Sequence, residues 1–491
     1  MCSIFGIQTK KKYNLKKICV IANKCLSHRG PDENNVWYDQ NVGIAHNRLS
    51  IIDIKNGQQP MMSSNKRYII SFNGEIVNFK ELRKSYLQNL HLKSNSDTEV
   101  LIELFSKFGP KMLDLIKGMF ALAIYDKLNK TFFLARDHIG IKPLYYYKEN
   151  ELLMFSSEIK AIYKTKIKEF QINKEKINEF LVHGSVYGKN TLHKNIFELQ
   201  PGHYLTGSSK EIKEIKYWDV HQFRKSIDSF SSTKIDIEKN LNKIIKEWCN
   251  SDVKMGSLLS GGLDSTYVST IASKYKEKIE MFTNYFPDRK KEDNEVFLAS
   301  IVAKATKNKH HKVQVKDIFS TEKLEKLVNH LADPLQDLNS ISFMALCEYI
   351  KTKSKVKVIL TGEGSDELFA GYQRHFDISN IYRDNKNFED ILLSKNYHSV
   401  NRLKYFLNTK YTLPLERKNI YKQFKNKKYN ALQKVLLHDQ MTFLPGYLDR
   451  VDKISMMYGL ESRTPFLDER FISISNSCKS EFKIKKTKNF K

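Results

Sequence analysis

The sequence predicts two domains of different class: an α+β domain over residues 2–207 and an α/β domain over residues 235–491. Three observations support this division. The length of 491 residues exceeds what one hydrophobic core usually supports. Short strand-like segments dominate the first part, whereas strands and helices alternate in the second. We therefore expect a layered α+β unit, followed by a parallel sheet covered on both faces and a helical C-terminal part.

In the first part, short apolar segments predict a series of strands, and two helical segments interrupt them. The helices are predicted over 15–28 and 96–109. Ser96 as N-cap, with Glu99 three residues later, gives the second helix a capping-box signature. The predicted strands cover 41–53, 67–76, 118–126, 131–137 and 151–158.

The second part is separated from the first by a predicted linker. Residues 200–205 are predicted as the last strand of the first part, and the polar stretch 206–234 as the linker. After a helix that begins at 235, the pattern alternates as βαβ units require. The predicted strands are 254–260, 279–286, 310–315 and 355–361. Beyond residue 375 the chain is predicted to be helical.

Composition excludes several classes of protein. No apolar run reaches the roughly 18 residues of a membrane span, and the N-terminus lacks a secretory pattern. We therefore expect no membrane partner and a cytoplasmic location. Six cysteines without a CxxC pair predict neither a disulfide framework nor a zinc site. The net charge of +27 comes from 82 basic residues scattered along the chain, of which 14 are arginine. This scatter indicates bulk composition rather than a nucleic-acid partner.

The stretch SGGLDS (260–265) follows an apolar strand and opens a helix. Gly261 and Gly262 let the backbone approach a ligand, and a helix N-terminus offers free N–H groups to an anion. The stretch does not match the Walker pattern. Asp264 would repel a phosphate unless Mg²⁺ lies between the two. An ordinary strand–helix turn is the alternative interpretation of this stretch alone.

A second acidic turn, TGEGSDELFAGY (361–372), also follows an apolar strand and contains Glu363, Asp366 and Glu367. Ligands of open parallel sheets bind at the carboxyl ends of strands. Because both turns lie at such ends, Asp264 and Asp366 are predicted to share one Mg²⁺ ion. A calcium-type loop and a solvated acidic turn are the alternatives, although the spacing does not match an EF-hand.

Together with DRVDKISMMYGLESRTPFLD (449–468), these two turns resemble the glutamine-dependent asparagine synthetase family. The resemblance runs from residue 2 to about 470, with the motifs in the family's order. It implies an αββα fold of the N-terminal-nucleophile type for the first domain and an ATP-pyrophosphatase fold for the second. The motifs that resemble the family's glutaminase domain are MCSIFGI (1–7), LSHRGPD (26–32), HNRLSIID (46–53), FNGEIVN (72–78), SDTEVL (96–101) and ARDHIGIKPLYY (135–146).

For the first domain, the resemblance implies that Cys2 attacks the amide carbon of glutamine. Removal of Met1 would free the α-amino group of Cys2, whose pKa is about 8, to act as the base for the thiol. A thioester would form, release ammonia and hydrolyse to glutamate. The resemblance also implies that Asn73 and Gly74 donate to the oxyanion. The implied glutamine-binding residues are Arg48 for the α-carboxylate, Glu75 and Asp97 for the α-ammonium, and Ile52, Asn73 and Gly74.

For the second domain, the resemblance implies that aspartate and ATP give β-aspartyl-AMP and diphosphate, after which ammonia displaces AMP. Glu363 would orient or deprotonate the ammonia, and Lys453 would stabilise charge on the transferring phosphorus. Asp264 and Asp366 would bind Mg²⁺. The implied ATP-binding residues are Leu258, Ser260, Gly261, Gly262, Leu263, Asp264, Ser265, Asn284, Thr361 and Gly362.

The acceptor amino acid stays open at this point, because DPLQDLNSIS (333–342) departs from the family's pattern at Asn339. The alternatives are a different carboxylate acceptor, for example in surface-glycan synthesis, a non-enzymatic binding or regulatory protein, and an RNA-modifying ATP pyrophosphatase. The resemblance implies L-glutamine, L-aspartate and ATP as small-molecule partners. It leaves the oligomeric state open, a homodimer included.

Overall fold

The computed structural model describes residues 2–223, 229–287, 295–316, 320–335, 338–381, 412–425 and 429–484. Several predictions therefore fall partly outside the described residues: the removal of Met1, the linker at 224–228, the acceptor segment at 336–337, and the helical part at 382–411, 426–428 and 485–491. None of the helices in the described ranges has the length and apolar character that crossing a bilayer requires. Below, the N-terminal half runs to Lys216 and the C-terminal half begins at Phe230.

The N-terminal half is built from twelve strands and five helices. The strands are β1 Cys2–Thr9, β2 Glu33–Tyr38, β3 Val42–Arg48, β4 Met61–Met62, β5 Tyr68–Ile76, β6 Gly118–Asp126, β7 Thr131–Arg136, β8 Tyr145–Glu149, β9 Leu152–Ser156, β10 Ile196–Glu198, β11 His203–Gly207 and β12 Ile212–Lys216. The helices are α1 Leu15–Leu26, α2 Phe79–Tyr86, α3 Asp97–Phe108, α4 Ile159–Lys164 and α5 Lys174–His183.

These strands form two six-stranded antiparallel sheets, ordered β10-β8-β9-β1-β3-β2 and β12-β11-β7-β6-β5-β4. Side chains such as Ile44 and Phe132 fill the space between the two sheets. The outer face of the first sheet packs on α1 and α4, and that of the second packs on α3. The order of layers is therefore helix, sheet, sheet, helix, as the αββα prediction required.

The C-terminal half contains a five-stranded parallel sheet, ordered β15-β14-β13-β16-β17. Its strands are β13 Met255–Leu258, β14 Glu280–Tyr285, β15 Lys309–Gln314, β16 Val358–Leu360 and β17 Glu461–Arg463. Its helices are α6 Phe230–Trp248, α7 Leu263–Tyr275, α8 Val296–Ala305, α9 Thr321–Leu331, α10 Asn339–Lys353, α11 Ser365–Phe369, α12 Gln373–Ile381, α13 Leu415–Lys425, α14 Ala431–Thr442, α15 Leu444–Met457, α16 Glu469–Ser477 and α17 Ser480–Lys483. This is the α/β fold that the sequence predicted, with a helical C-terminal part.

Two strands were not expected from the sequence. β12 lies inside the predicted linker 206–234 and pairs with β11, so the second sheet continues past residue 207. β17 lies in the part that was predicted to be helical, and it pairs in parallel with β16. The predicted capping box is only half formed. The Ser96 hydroxyl accepts from the Glu99 N–H, but the Glu99 carboxylate accepts from Lys93 and Ser94 instead.

The two halves share one continuous apolar core. Leu49, Met119 and Ile141 of the N-terminal half belong to the same buried cluster as Leu360 and Met456 of the C-terminal half. Burying apolar area of both halves against each other favours one fixed arrangement over two independent bodies. Members of this shared core also line the two candidate sites described next, Leu49 and Ile51 in the first and Leu259 in the second.

Candidate active sites

The first candidate site is built around Cys2 at the start of β1. Cys2 pairs in register with Arg48 of β3 and is buried. Its backbone N–H donates to Asn73 Oδ1 of β5 at 2.9 Å, a bond that joins the two sheets. Asn73 Nδ2 is buried and has no hydrogen-bond partner among the described residues. The cysteine is therefore held in place, and a buried amide donor lies next to it.

A cavity of about 30 Å³ lies against Cys2 and contains most of the residues predicted to bind glutamine. Arg48, Ile52, Gly74, Glu75 and Asp97 line it. Asn73 and Gly74 are neighbours on β5, so both predicted oxyanion donors lie beside the thiol. Glu461 of the C-terminal half also lines the cavity, which the sequence did not indicate.

Burial dominates the electrostatics of this cavity. It raises the pKa of the Cys2 thiol, although the Leu49 N–H and the charge of Arg48 oppose the rise. It also raises the pKa of Glu75 well above its usual range and that of Asp97 to about 6. Two neighbouring buried carboxylates favour a cation between them. The cavity is thus suited to an ammonium group, and the thiol needs a base to become a nucleophile.

Arg48 differs from its expected state. Its Nη1 donates to Glu33 Oε1 at 2.8 Å and to the Ile54 carbonyl at 3.1 Å. Its Nη2 donates to the carbonyls of Ile52 and Asp53 at 3.2 and 2.6 Å. The guanidinium N–H groups of Arg48 are therefore already hydrogen-bonded to oxygens of the chain itself in this conformation. A substrate carboxylate has to displace some of these oxygens to be clamped as predicted.

The second candidate site is a cavity of about 1070 Å³ at the carboxyl ends of β13, β14 and β16. It is large enough for a nucleotide and a second small molecule. Asn339 and Ser342 of the segment that departs from the family's pattern also line it. The predicted residues that line it are Leu258, Ser260, Gly262, Asp264, Ser265, Asn284, Thr361, Gly362, Glu363 and Asp366.

The SGGLDS turn has the geometry of a close-approach loop. Gly261 has φ 88°, and a Cβ there would lie 2.8 Å from the Glu295 carbonyl oxygen, so only glycine fits. The Ser260 N–H donates to Ser265 Oγ at 3.2 Å, which closes the turn. Leu263 is 82% exposed and is not among the residues that line the cavity. Gly261 and Leu263 therefore shape the turn without facing the cavity.

Asp264 and Asp366 come from the two turns and face the same cavity. The Ser365 hydroxyl donates to Asp264 Oδ1 at 2.8 Å, which ties the second turn to the first. Burial and the negative charge of Asp264 both raise the pKa of Asp366. A pair of carboxylates that repel each other beside an anion-binding turn fits a hard divalent cation such as Mg²⁺. The donor set is therefore compatible with the predicted metal.

Glu363 is enclosed on the far side of the same cavity. Burial raises the pKa of its carboxyl group, and a hydrogen bond with the Tyr447 side chain lowers it. Tyr447 also lines the cavity and was not predicted as a site residue. The aromatic residue precedes the motif 449–468, and no spacing in the sequence connects it to Glu363.

Lys453 does not join this cavity. It lines a separate cavity of about 110 Å³ between the halves. Its Nζ contacts Asp449 at 2.7 Å, Asp333 at 3.1 Å and the Tyr145 hydroxyl at 3.1 Å. These partners raise the pKa of the buried ammonium group, even though burial itself lowers it. In this conformation Lys453 links the two halves, and its role at the transferring phosphorus stays a prediction.

Comparison with known families agrees with this pair of sites. A model described as "Glutamine amidotransferase domain" matches residues 1–218, and one described as "Asparagine synthase" matches residues 236–490. The chain belongs to the asparagine synthase family. It is therefore a ligase that carries a glutamine amidotransferase domain, as the motifs implied.

Individual members of the asparagine synthase family match over most of the chain. "Asparagine synthetase [glutamine-hydrolyzing] 3" of Bacillus subtilis is 30% identical over 96% of this chain and 80% of its own length. "Asparagine synthetase B [glutamine-hydrolyzing]" of Escherichia coli is 30% identical over 76% of this chain and 65% of its own length. A solved glutamine phosphoribosylpyrophosphate amidotransferase of B. subtilis superposes with a TM-score of 0.34 at 15% identity, over 74% of this chain and 81% of that chain.

Proposed function

We propose that this member of the asparagine synthase family converts ATP, L-aspartate, L-glutamine and water to AMP, diphosphate, L-asparagine and L-glutamate. One observation carries the proposal: two sites adjoin the same apolar core. The first is a buried cysteine near the N-terminus with an amide donor beside it, and the second is a cavity that contains two aspartates and the SGGLDS turn. The names of the relatives support aspartate as the acceptor. We assign the glutaminase reaction to the N-terminal half and the synthetase reaction to the C-terminal half.

In the glutaminase half, the α-amine of a processed Cys2 takes the proton of the thiol, and the sulfur attacks the amide carbon of glutamine. The oxyanion that forms accepts hydrogen bonds from Asn73 Nδ2 and the Gly74 N–H. The carbon–nitrogen bond then breaks, and ammonia leaves with a proton from the amine. Water hydrolyses the thioester and frees glutamate. Glu75 and Asp97 hold the substrate's α-ammonium throughout.

In the synthetase half, the turn 260–265 receives the diphosphate part of ATP, and main-chain groups of Leu258, Thr361 and Gly362 surround the adenosine. Mg²⁺, held by Asp264 and Asp366, would supply charge neutralisation at the phosphates. The carboxylate of aspartate attacks the α-phosphorus, which gives β-aspartyl-AMP and diphosphate. Ammonia then attacks the acyl carbon, and AMP leaves. Glu363, positioned by Tyr447, orients the ammonia and accepts its proton.

The decisive experiment is an assay of the purified protein with glutamine, ATP and Mg²⁺ that supplies one acceptor at a time. We expect AMP, glutamate and asparagine in equal amounts when aspartate is the acceptor. AMP formation with a sugar acid but not with aspartate would replace the acceptor and keep both half-reactions. Absence of AMP with every acceptor, from folded protein with Met1 removed, would reject the synthetase assignment.

A further inference from the structure

The short strand β17 reaches from the C-terminal half into the glutamine cavity. Arg463, at its end, is fully buried. Its Nη2 donates to Glu75 Oε2 at 3.0 Å, and its Nε donates to Glu461 Oε1 at 2.6 Å. Its Nη1 donates to the carbonyls of Trp248 and Asn250 at 2.8 and 2.7 Å. One guanidinium group therefore joins a carboxylate of the N-terminal half to three groups of the C-terminal half.

This contact leaves one carboxylate oxygen of Glu75 available to a ligand. Arg463 occupies Oε2, whereas Oε1 is buried and has no partner among the described residues. Glu75 lines the cavity beside Cys2, as does Glu461 from the opposite half. An unpaired buried carboxylate oxygen costs free energy unless a donor fills the place. The substrate's α-ammonium is the donor that the proposed glutamine site would bring.

The backbone of the same strand is hydrogen-bonded to a segment that lines the other site. β17 pairs with β16, and the Thr361 N–H donates to the Arg463 carbonyl at 2.9 Å. Thr361, Gly362 and Glu363 line the nucleotide cavity. The glutamine site is therefore completed by a strand whose neighbour ends in the synthetase site.

We propose that Arg463, held by Glu461, is a positioning residue of the glutamine site: its positive charge favours the charged form of Glu75, and its hydrogen bond fixes the free oxygen of Glu75 toward the α-ammonium of the substrate. The proposal rests on the proposed glutaminase function and extends it. A residue of the synthetase half then positions one of the two carboxylates of the α-ammonium site. The glutaminase half could bind glutamine well only while β17 is docked.

The charges around Glu75 determine in which direction each substitution shifts the pKa of its carboxyl group. Burial raises the pKa of Glu75, Arg463 lowers it, Asp97 and Glu461 raise it, and the positive N-terminus lowers it. Glu75 binds an ammonium group only when it is deprotonated, so kcat/KM for glutamine rises with pH through this pKa. Loss of the Arg463 charge raises the pKa of Glu75. The acid limb of the pH profile, in which kcat/KM rises with pH, then moves to higher pH. Loss of the Glu461 charge moves the limb to lower pH.

If Arg463 served only to stabilise the fold, its replacement would have a different effect on the kinetics. Arg463 also covers two carbonyls after α6, so its replacement is expected to lower stability in either case. A brace alone would lower the amount of folded enzyme without shifting KM or the pH profile. The opposite shifts of two neighbouring variants are therefore the readout that separates positioning from bracing.

The test measures glutamate release from the full-length enzyme by wild type and by the Arg463→Gln, Arg463→Lys and Glu461→Gln variants, as kcat and KM for glutamine across pH. For Arg463→Gln we expect KM to rise about tenfold or more, because a charge-assisted contact to the buried carboxylate is lost. Its acid limb should move up, that of Arg463→Lys should move less, and that of Glu461→Gln should move down. Lys357→Gln is the matched control, because it removes an inter-half ion pair with Asp32 at 2.7 Å that touches neither cavity.

Each outcome decides the proposal. If Arg463→Gln does not fold, Arg463→Lys and Glu461→Gln still have to shift the acid limb in opposite directions. Unchanged KM and acid limbs in these variants would overturn the proposal, as would the same changes in Lys357→Gln. The proposed function fails separately, since a wild type that releases no glutamate from glutamine would reject the glutaminase assignment itself.

Discussion

The two candidate sites differ in how far the protein satisfies its own polar groups. In the glutamine cavity of about 30 Å³, Arg48 and Glu75 already have charged partners, one of which comes from the other half. In the nucleotide cavity of about 1070 Å³, Asp264 and Asp366 face each other's negative charge. In the first site Arg48 is bound by oxygens of the chain itself, some of which a substrate carboxylate has to displace. The second is organised for ligands that bring their own counter-charge.

The backbone explains the difference. Cys2, Arg48, Asn73 and Glu75 lie on strands of two packed antiparallel sheets, where neighbours on both sides fix each side chain. Asp264 and Asp366 lie in turns that follow parallel strands, where the space beyond the sheet is open. Substitutions in the first site should therefore affect chemistry on glutamine alone, and those in the second should affect AMP formation alone. The predictions below test that separation, from the largest expected effect to the smallest.

The sharpest separation is expected from Cys2→Ala. Without the nucleophile, glutamine-dependent activity should fall by on the order of 10⁴, whereas ammonia-dependent AMP formation should stay near wild type. Glutamate and AMP are measured in parallel with each nitrogen source. Cys25→Ala, which changes a half-buried cysteine of the same half, should leave both activities unchanged. Loss of both activities in folded Cys2→Ala would contradict the division of labour.

Asn73→Ala tests whether the amide donates to the oxyanion. Loss of one such donor typically costs about 10²- to 10³-fold in kcat. Because Asn73 Oδ1 also accepts from the Cys2 N–H, part of the loss will come from a less well-placed thiol. Asn73→Asp, which keeps the acceptor but not the donor, should be nearly as slow in glutamate release. A kcat within threefold of wild type for Asn73→Asp would show that Nδ2 is not a donor.

Asp264→Asn and Asp366→Asn should impair the second site and leave the first site intact. Each removes one negative ligand from the proposed Mg²⁺ site, and we expect AMP formation to fall about a hundredfold while glutamate release persists. Raising the Mg²⁺ concentration should recover part of the loss. Asp377→Asn, on α12, does not line the cavity and serves as the control. Normal AMP formation at ordinary Mg²⁺ in either variant would reject the shared ion.

The sequence predicted the residues of both sites better than their partners. Motifs such as HNRLSIID and SGGLDS place functional residues at the ends of strands, which local periodicity can locate. Arg463 and Glu75 are separated by 388 positions, so no local pattern could pair them. β17 was missed because three residues, Glu-Ser-Arg, are too few and too polar to show a strand period.

The contacts of Lys453 also could not be predicted from the local sequence. Its position in a motif suggested a role at phosphorus, but Asp333 and Asp449 hold its ammonium group in the cavity between the halves. Asp333 lies 120 positions away along the chain. A buried cation binds the carboxylates that lie near it: Asp449 comes from the same helix, and the packing of α15 against α9 brings Asp333 close.

The shared core suggests how ammonia passes between two sites of such different character. Free ammonia near neutral pH is mostly protonated and then is not a nucleophile, so an apolar passage that excludes water would preserve it. The Leu49 N–H lowers the pKa of the Cys2 thiol, and Leu467 packs against Gly364 beside Glu363. Leu49 and Leu467 belong to the same buried cluster. Met456 is fully buried in that cluster.

Met456→Phe should therefore have the smallest but most specific effect. Extra volume in the core between the sites should leave glutamate release and ammonia-dependent AMP formation nearly intact, while asparagine formed per glutamate falls about twofold. Met457→Phe is the matched control, because the adjacent side chain packs on a separate cluster with Ile454. Labelled ammonium in the medium gives the second measurement, since with saturating glutamine little label should enter asparagine in wild type and more should enter in Met456→Phe. Equal labelling of all three proteins, in proportion to free ammonia, would mean that the sites exchange ammonia through solvent, and that the shared core serves stability alone.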